Sequence, residues 1–114
     1  MTHDELIRSL ETLDLELHSA RLVAYYREFG PDVRERFVGL RAYVAVALAD
    51  ARRARVEDLS AALEEHDAEL RDRLDEVERW VRDLDDAART LDIIGDVLTV
   101  LSRLVPGVLN GVLP

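Results

Sequence analysis

Leucines, valines and alanines return every three or four residues along most of this chain, and the residues that stop a helix are almost missing. Proline occurs only at Pro31, Pro106 and Pro114, and glycine only at Gly30, Gly39, Gly95, Gly107 and Gly111. Most of these breakers gather at one internal point and at the C-terminus, leaving long uninterrupted stretches between them. Spacings of three and four put side chains on one face of an α-helix, whereas a strand requires strict alternation. The chain therefore reads as all-α: an antiparallel helical bundle of three long helices plus a shorter apolar C-terminal helix, the third helix having a coiled-coil-like pattern. With 114 residues, 48% of them hydrophobic, there is material for one core, and residues 1–114 are expected to form a single helical-bundle domain.

The first helix is expected over residues 4–29. Thr2 or His3 stands near its cap, and Asp4 and Glu5 lie where the helix dipole favours acids. Leu6, Leu10, Leu13, Leu17, Ala20 and Ala24 form one apolar stripe, and Leu15, Leu22, Tyr26 and Phe29 a second, which implies two neighbours. Gly30 then supplies a stop and Pro31 suits the first turn of the next helix. That helix, residues 31–54, is apolar nearly all round from Phe37 to Ala49, a composition suited to the buried centre of a bundle. Arg52, Arg53 and Arg55 followed by Glu57 and Asp58 mark its end, cations closing one helix and acids opening another. One helix continuing from Pro31 to about Leu91 is the competing arrangement.

Over residues 56–91, Val56, Leu59 and Leu63, then Leu70, Leu74, Val77, Val81, Leu84, Ala88 and Leu91 keep spacings of three and four. The seam slips once between Leu63 and Leu70, where only His66 and Asp67 are available to fill it. At ~1.5 Å per residue such a helix is about 50 Å long. It exceeds either helix before it, so part of its seam stays uncovered in a monomer. That overhang argues for a homo-oligomer or a protein partner, with Leu70, Leu74, Val77, Val81 and Leu84 on the seam and Trp80 beside it as interface candidates. Residues 92–114 turn abruptly apolar and add Leu98, Leu101 and Val105 to the candidates, with a helix expected to about Val105 and an irregular tail beyond.

Charge narrows the class of partner. The net charge of −9 is local: residues 57–86 carry thirteen acids against four arginines, while acids and arginines balance on either side. Such a stretch repels nucleic-acid and anionic-lipid surfaces, so no nucleic-acid partner is expected and a basic protein is the favoured one. All fifteen basic residues are arginine, which reads as a coding bias and not as fifteen chemical requirements. Cysteine is absent, removing disulfides and thiolate metal sites. The N-terminus lacks the basic and apolar regions of a secretory signal, and the expected location is cytoplasmic.

Catalytic patterns are weak. His18 follows Asp14 by four residues and His66 precedes Glu69 by three, but the Glu-x-x-His pairs of di-iron bundles are missing, since Leu15 and Leu63 stand three before those histidines. Acid pairs such as Glu64 with Asp67, Glu69 with Asp72 and Asp75 with Glu78 follow from enrichment alone. Ser9, Ser19, Ser60 and Ser102 have no glycine elbow, and no glycine-rich phosphate loop occurs. No metal, cofactor or catalytic residue is expected. The function expected is non-enzymatic assembly or partner capture; the alternative is a membrane-active or lipid-associating protein acting through the apolar residues 93–113.

Overall fold

The computed structural model describes residues 1–104, and residues 105–114 lie outside the described residues. Thr2 opens the first helix. Its hydroxyl accepts from the Glu5 N–H at 3.1 Å and the Glu5 carboxylate accepts from the Thr2 N–H at 3.3 Å, so two otherwise orphaned donors are satisfied reciprocally. The stretch read from sequence as one helix over residues 4–29 is in fact two, α1 (His3–Leu17) and α2 (Ala20–Arg27), hinged at His18 and Ser19. Ser19 caps the second, its hydroxyl accepting from the Leu22 N–H at 3.2 Å. The hinge has a packing cause. Leu17 to Leu22 is a step of five, which on a straight helix turns Leu22 and Tyr26 away from the face of Leu6, Leu10, Leu13 and Leu17. Bending at Ser19 returns both to the core, where each is 1% exposed, while Leu15 is left 73% exposed. The two stripes are one stripe interrupted by a turn.

Pro31 begins α3 (Pro31–Arg53), and Ala54 ends it in extended conformation. A separate helix, α4 (Val56–Glu65), follows, so the continuous helix from Pro31 to Leu91 does not form. The long helix expected over residues 56–91 does not form either. It breaks at His66, where the apolar seam slips, and again after α5 (Asp67–Asp83), where Leu84 takes a left-handed conformation at φ 49°. The last helix, α6 (Ala87–Leu104), begins five residues before the expected start at residue 92. No glycine or proline marks that turn. Asp86 starts α6, its carboxylate accepting from the Arg89 N–H at 2.9 Å. Arg21 of α2 donates to the carbonyls of Val81, at 3.0 Å, and Arg82, which the end of α5 leaves without helical partners.

Because of that turn α5 runs back along α6. Arg103 in the last turn of α6 pairs with Glu69 in the first turn of α5 at 3.5 Å. On its other side α6 lies parallel to α3, tied by Arg36 to Asp92 at 2.6 Å. The α1 helix runs antiparallel to α3, with His3 Nε2 donating to the Ala51 carbonyl at 2.8 Å. Ten side chains of α6 are buried, among them Leu91, Ile93, Ile94, Val97 and Leu98 with no exposure at all. The centre of the fold is therefore α6, not the helix over residues 31–54 that its composition suggested. The short axis of 20 Å leaves room for about two layers of helices, so α3 keeps one face on solvent.

Candidate functional site

The residues expected to form an exposed seam lie in or against the molecule's own core. Leu70, Val77 and Val81 are buried, and Leu74, Trp80 and Leu84 are half-buried and packed against the core. Leu98 and Leu101 are buried on α6, and Val105 lies outside the described residues. The structure thus brings the described ones together by folding α5 onto α6. The uncovered overhang disappears with the long helix that implied it. Tyr26 is also internal: it stacks on Phe37 with ring centroids 4.3 Å apart and donates to the Ala87 carbonyl at 3.0 Å. Burial pushes its phenol up to about 12.

The histidines and several of the acids have charged or polar groups nearby. His18 Nδ1 donates to the Asp14 carbonyl at 2.8 Å and sits 3.6 Å from the Asp14 carboxylate. His66 Nδ1 is 3.9 Å from Glu69. Asp67 binds the Met1 ammonium, and Arg71 bridges Asp67 at 2.9 Å and Glu5 at 3.2 Å. The ammonium first, and Arg71 after it, hold the Asp67 carboxyl below its ordinary range. Glu16 is the reverse case: partial burial, and then the charge of Glu78 across the groove between α1 and α5, raise its carboxyl. Among the described residues no three metal-ligating side chains gather at one point.

Two surfaces stand out. One is the acidic exterior of α4 and α5, which holds Glu57, Asp58, Glu64, Glu65, Asp72 and Asp75 in water. The other is the outer face of α3, on the side opposite Phe37, Leu40, Val44, Leu48 and Ala51. Val38 is 50% exposed and Val46 38%, with Ala42 and Ala45 exposed beside them. Between Arg36 and Asp50 the only charge on α3 is Arg41, whose guanidinium lies over the Phe37 ring 5.3 Å from its centroid. Next to this face a groove of ≈ 700 Å³ runs between α3 and α6, with Gly39 and Gly95 among its lining residues. Reading the helix over residues 31–54 as central concealed this face, because a residue pattern that is apolar all round does not say which side lacks a neighbour.

Among the described residues no helix is long and apolar enough to cross a membrane. Comparison with models of protein families, with curated proteins and with solved structures finds no match for the chain.

Proposed function

We propose that this chain is a non-enzymatic helical assembly protein, which associates with copies of itself or captures a protein partner. The observation that carries the reading is the outer face of α3, where Val38, Ala42, Ala45 and Val46 meet solvent while, among the described residues, every other helix turns its large apolar side chains inward, apart from Leu15 and Val56. Apolar side chains exposed singly need no explanation, but a contiguous uncharged run along one helix is a docking feature. The acidic exterior of α4 and α5 complements it, repelling other acidic molecules and drawing in a basic protein surface.

The test is mass by light scattering after size exclusion, on the full chain across a concentration series, alone and with a basic candidate partner. A discrete oligomer or a defined complex is the expected result. A monomer that binds nothing overturns the reading. Release of residues 93–113 into a membrane finds less support, because Ile93, Ile94, Val97, Leu98, Val100, Leu101 and Leu104 are all buried. At about 1.5–3 kcal/mol per buried side chain, extracting seven of them is comparable with, or exceeds, the net stability of about 5–15 kcal/mol of an ordinary domain. Liposome flotation of the folded chain separates the two readings.

A further inference from the structure

The outer face of α3 has a regular seam. Glu35, Gly39, Ala42, Val46, Ala49 and Arg53 follow one another at spacings of four, three, four, three and four, the repeat with which one helix meets another in a coiled coil. These positions lie on the side of the helix away from its core stripe, and Glu35, Ala42, Val46 and Arg53 are exposed. The seam is also symmetric under reversal. When a second α3 is laid antiparallel across a two-fold axis, Val46 faces Ala42 of the other copy, Ala49 faces Gly39, and Arg53 faces Glu35. Each larger residue then meets a smaller one, and each end carries opposite charges. We propose that this face binds a second copy of the chain in that arrangement, an inference that rests on the assembly reading and names its surface and its partner.

Two further observations favour a second copy as the occupant. Gly39 lies inside a helix, where glycine weakens the helix relative to alanine, and a Cβ built on it meets nothing within 4 Å among the described residues. Packing among those residues does not require the missing side chain, whereas a helix crossing closely at Ala49 of a second copy does. Electrostatics selects the same face. The α3 helix carries five arginines against three acids, while residues 57–86 carry an excess of nine acids. Two copies approaching through α5 repel each other, and two approaching through α3 hold their acidic exteriors apart. Opposite charges at the seam ends set the antiparallel direction, because a parallel pair sets Glu35 against Glu35 and Arg53 against Arg53. An isologous contact of this kind closes as a dimer.

The experiment is sedimentation velocity on the full chain over a concentration series, with thermal unfolding of each variant as a check on folding. Wild type is expected to pass from monomer to dimer as concentration rises. Gly39→Leu and Val46→Glu are expected to stay monomeric with unfolding transitions no lower than that of dilute wild type. Glu35→Arg and Arg53→Glu singly are expected to weaken the dimer about tenfold, and together to restore it to within about threefold, since reversing both charges recreates the pair. An oligomer unaffected by Gly39→Leu and Val46→Glu overturns the α3 interface and leaves assembly through another surface standing. A dimer weakened by the apolar variants but not rescued by the double charge reversal overturns the antiparallel arrangement. A wild-type monomer at every concentration overturns this interface and self-assembly together.

Discussion

Tyr26 shows how much a single buried side chain links in this fold. It belongs to α2, stacks on Phe37 of α3 and donates its hydroxyl to Ala87 at the start of α6. With its pKa raised to about 12 from an ordinary value of 10.0, the neutral phenol is favoured in the folded state. The associated stability is therefore complete below pH 10 and lost as pH rises toward 12, a change of about 3 kcal/mol. Tyr26→Phe is expected to cost about 1 kcal/mol near neutral pH by removing its hydrogen bond to the Ala87 carbonyl, and to flatten this alkaline decline, as read by urea denaturation at neutral and alkaline pH. Leu84 carries backbone strain, a leucine in left-handed conformation whose side chain still packs on the core. Glycine has no penalty there, so Leu84→Gly is expected to be more stable than Leu84→Ala by about 1 kcal/mol in denaturant titrations, although both lose the packed side chain.

At the scale of elements, the turns that shape the molecule are made by ordinary polar residues. Ser19, His66 and the pair Asp85 and Asp86 do what glycine and proline do elsewhere, and among the described residues only the Gly30–Pro31 turn has a strong breaker signal. Ser19→Ala is expected to lower stability by about 1 kcal/mol through loss of the α2 cap, measured as a lower denaturation midpoint with an unchanged slope. The seam of α5 was legible in the sequence as a row of Leu70, Leu74, Val77 and Val81. Its occupant was not, because periodicity reveals that a helix has an apolar face and never which helix covers it. A left-handed leucine followed by two aspartates turned the chain and made α6 that occupant.

Across the whole molecule, charge is arranged so that α3 and α6 are nearly neutral outside and α4 and α5 strongly acidic. Ion pairs converge where the chain's N-terminus meets the kink between α4 and α5. Asp67 and Glu5 both have pKa values lowered below the ordinary 3.8 and 4.5, Asp67 by the Met1 ammonium and then Arg71, Glu5 chiefly by its hydrogen bonds with Thr2. Their contribution is present above those ordinary values and is lost as pH falls through the lowered ones. Glu16 opposes it, since its raised carboxyl gains on protonation. The melting temperature is expected to fall on acidification below about pH 4, and Asp67→Asn to lessen that fall while lowering the melting temperature at neutral pH.

Residue spacing by itself determined that the chain is helical, because a repeat of three and four serves one backbone geometry alone. Composition placed the acidic excess in residues 57–86, and the dipole preference of arginines and acids located the break near Ala54. Tertiary structure decided the rest. The five-residue step at Leu17 bends only because Tyr26 and Leu22 have a core to return to, and the seam of α5 is internal only because α6 folds back on it. The helix over residues 31–54 carries apolar residues on every side, and neighbours on some sides alone turned the remainder into a surface. Local sequence sets which faces are apolar; which of them meets water depends on contacts between residues distant in the chain, and those exist only in the folded molecule.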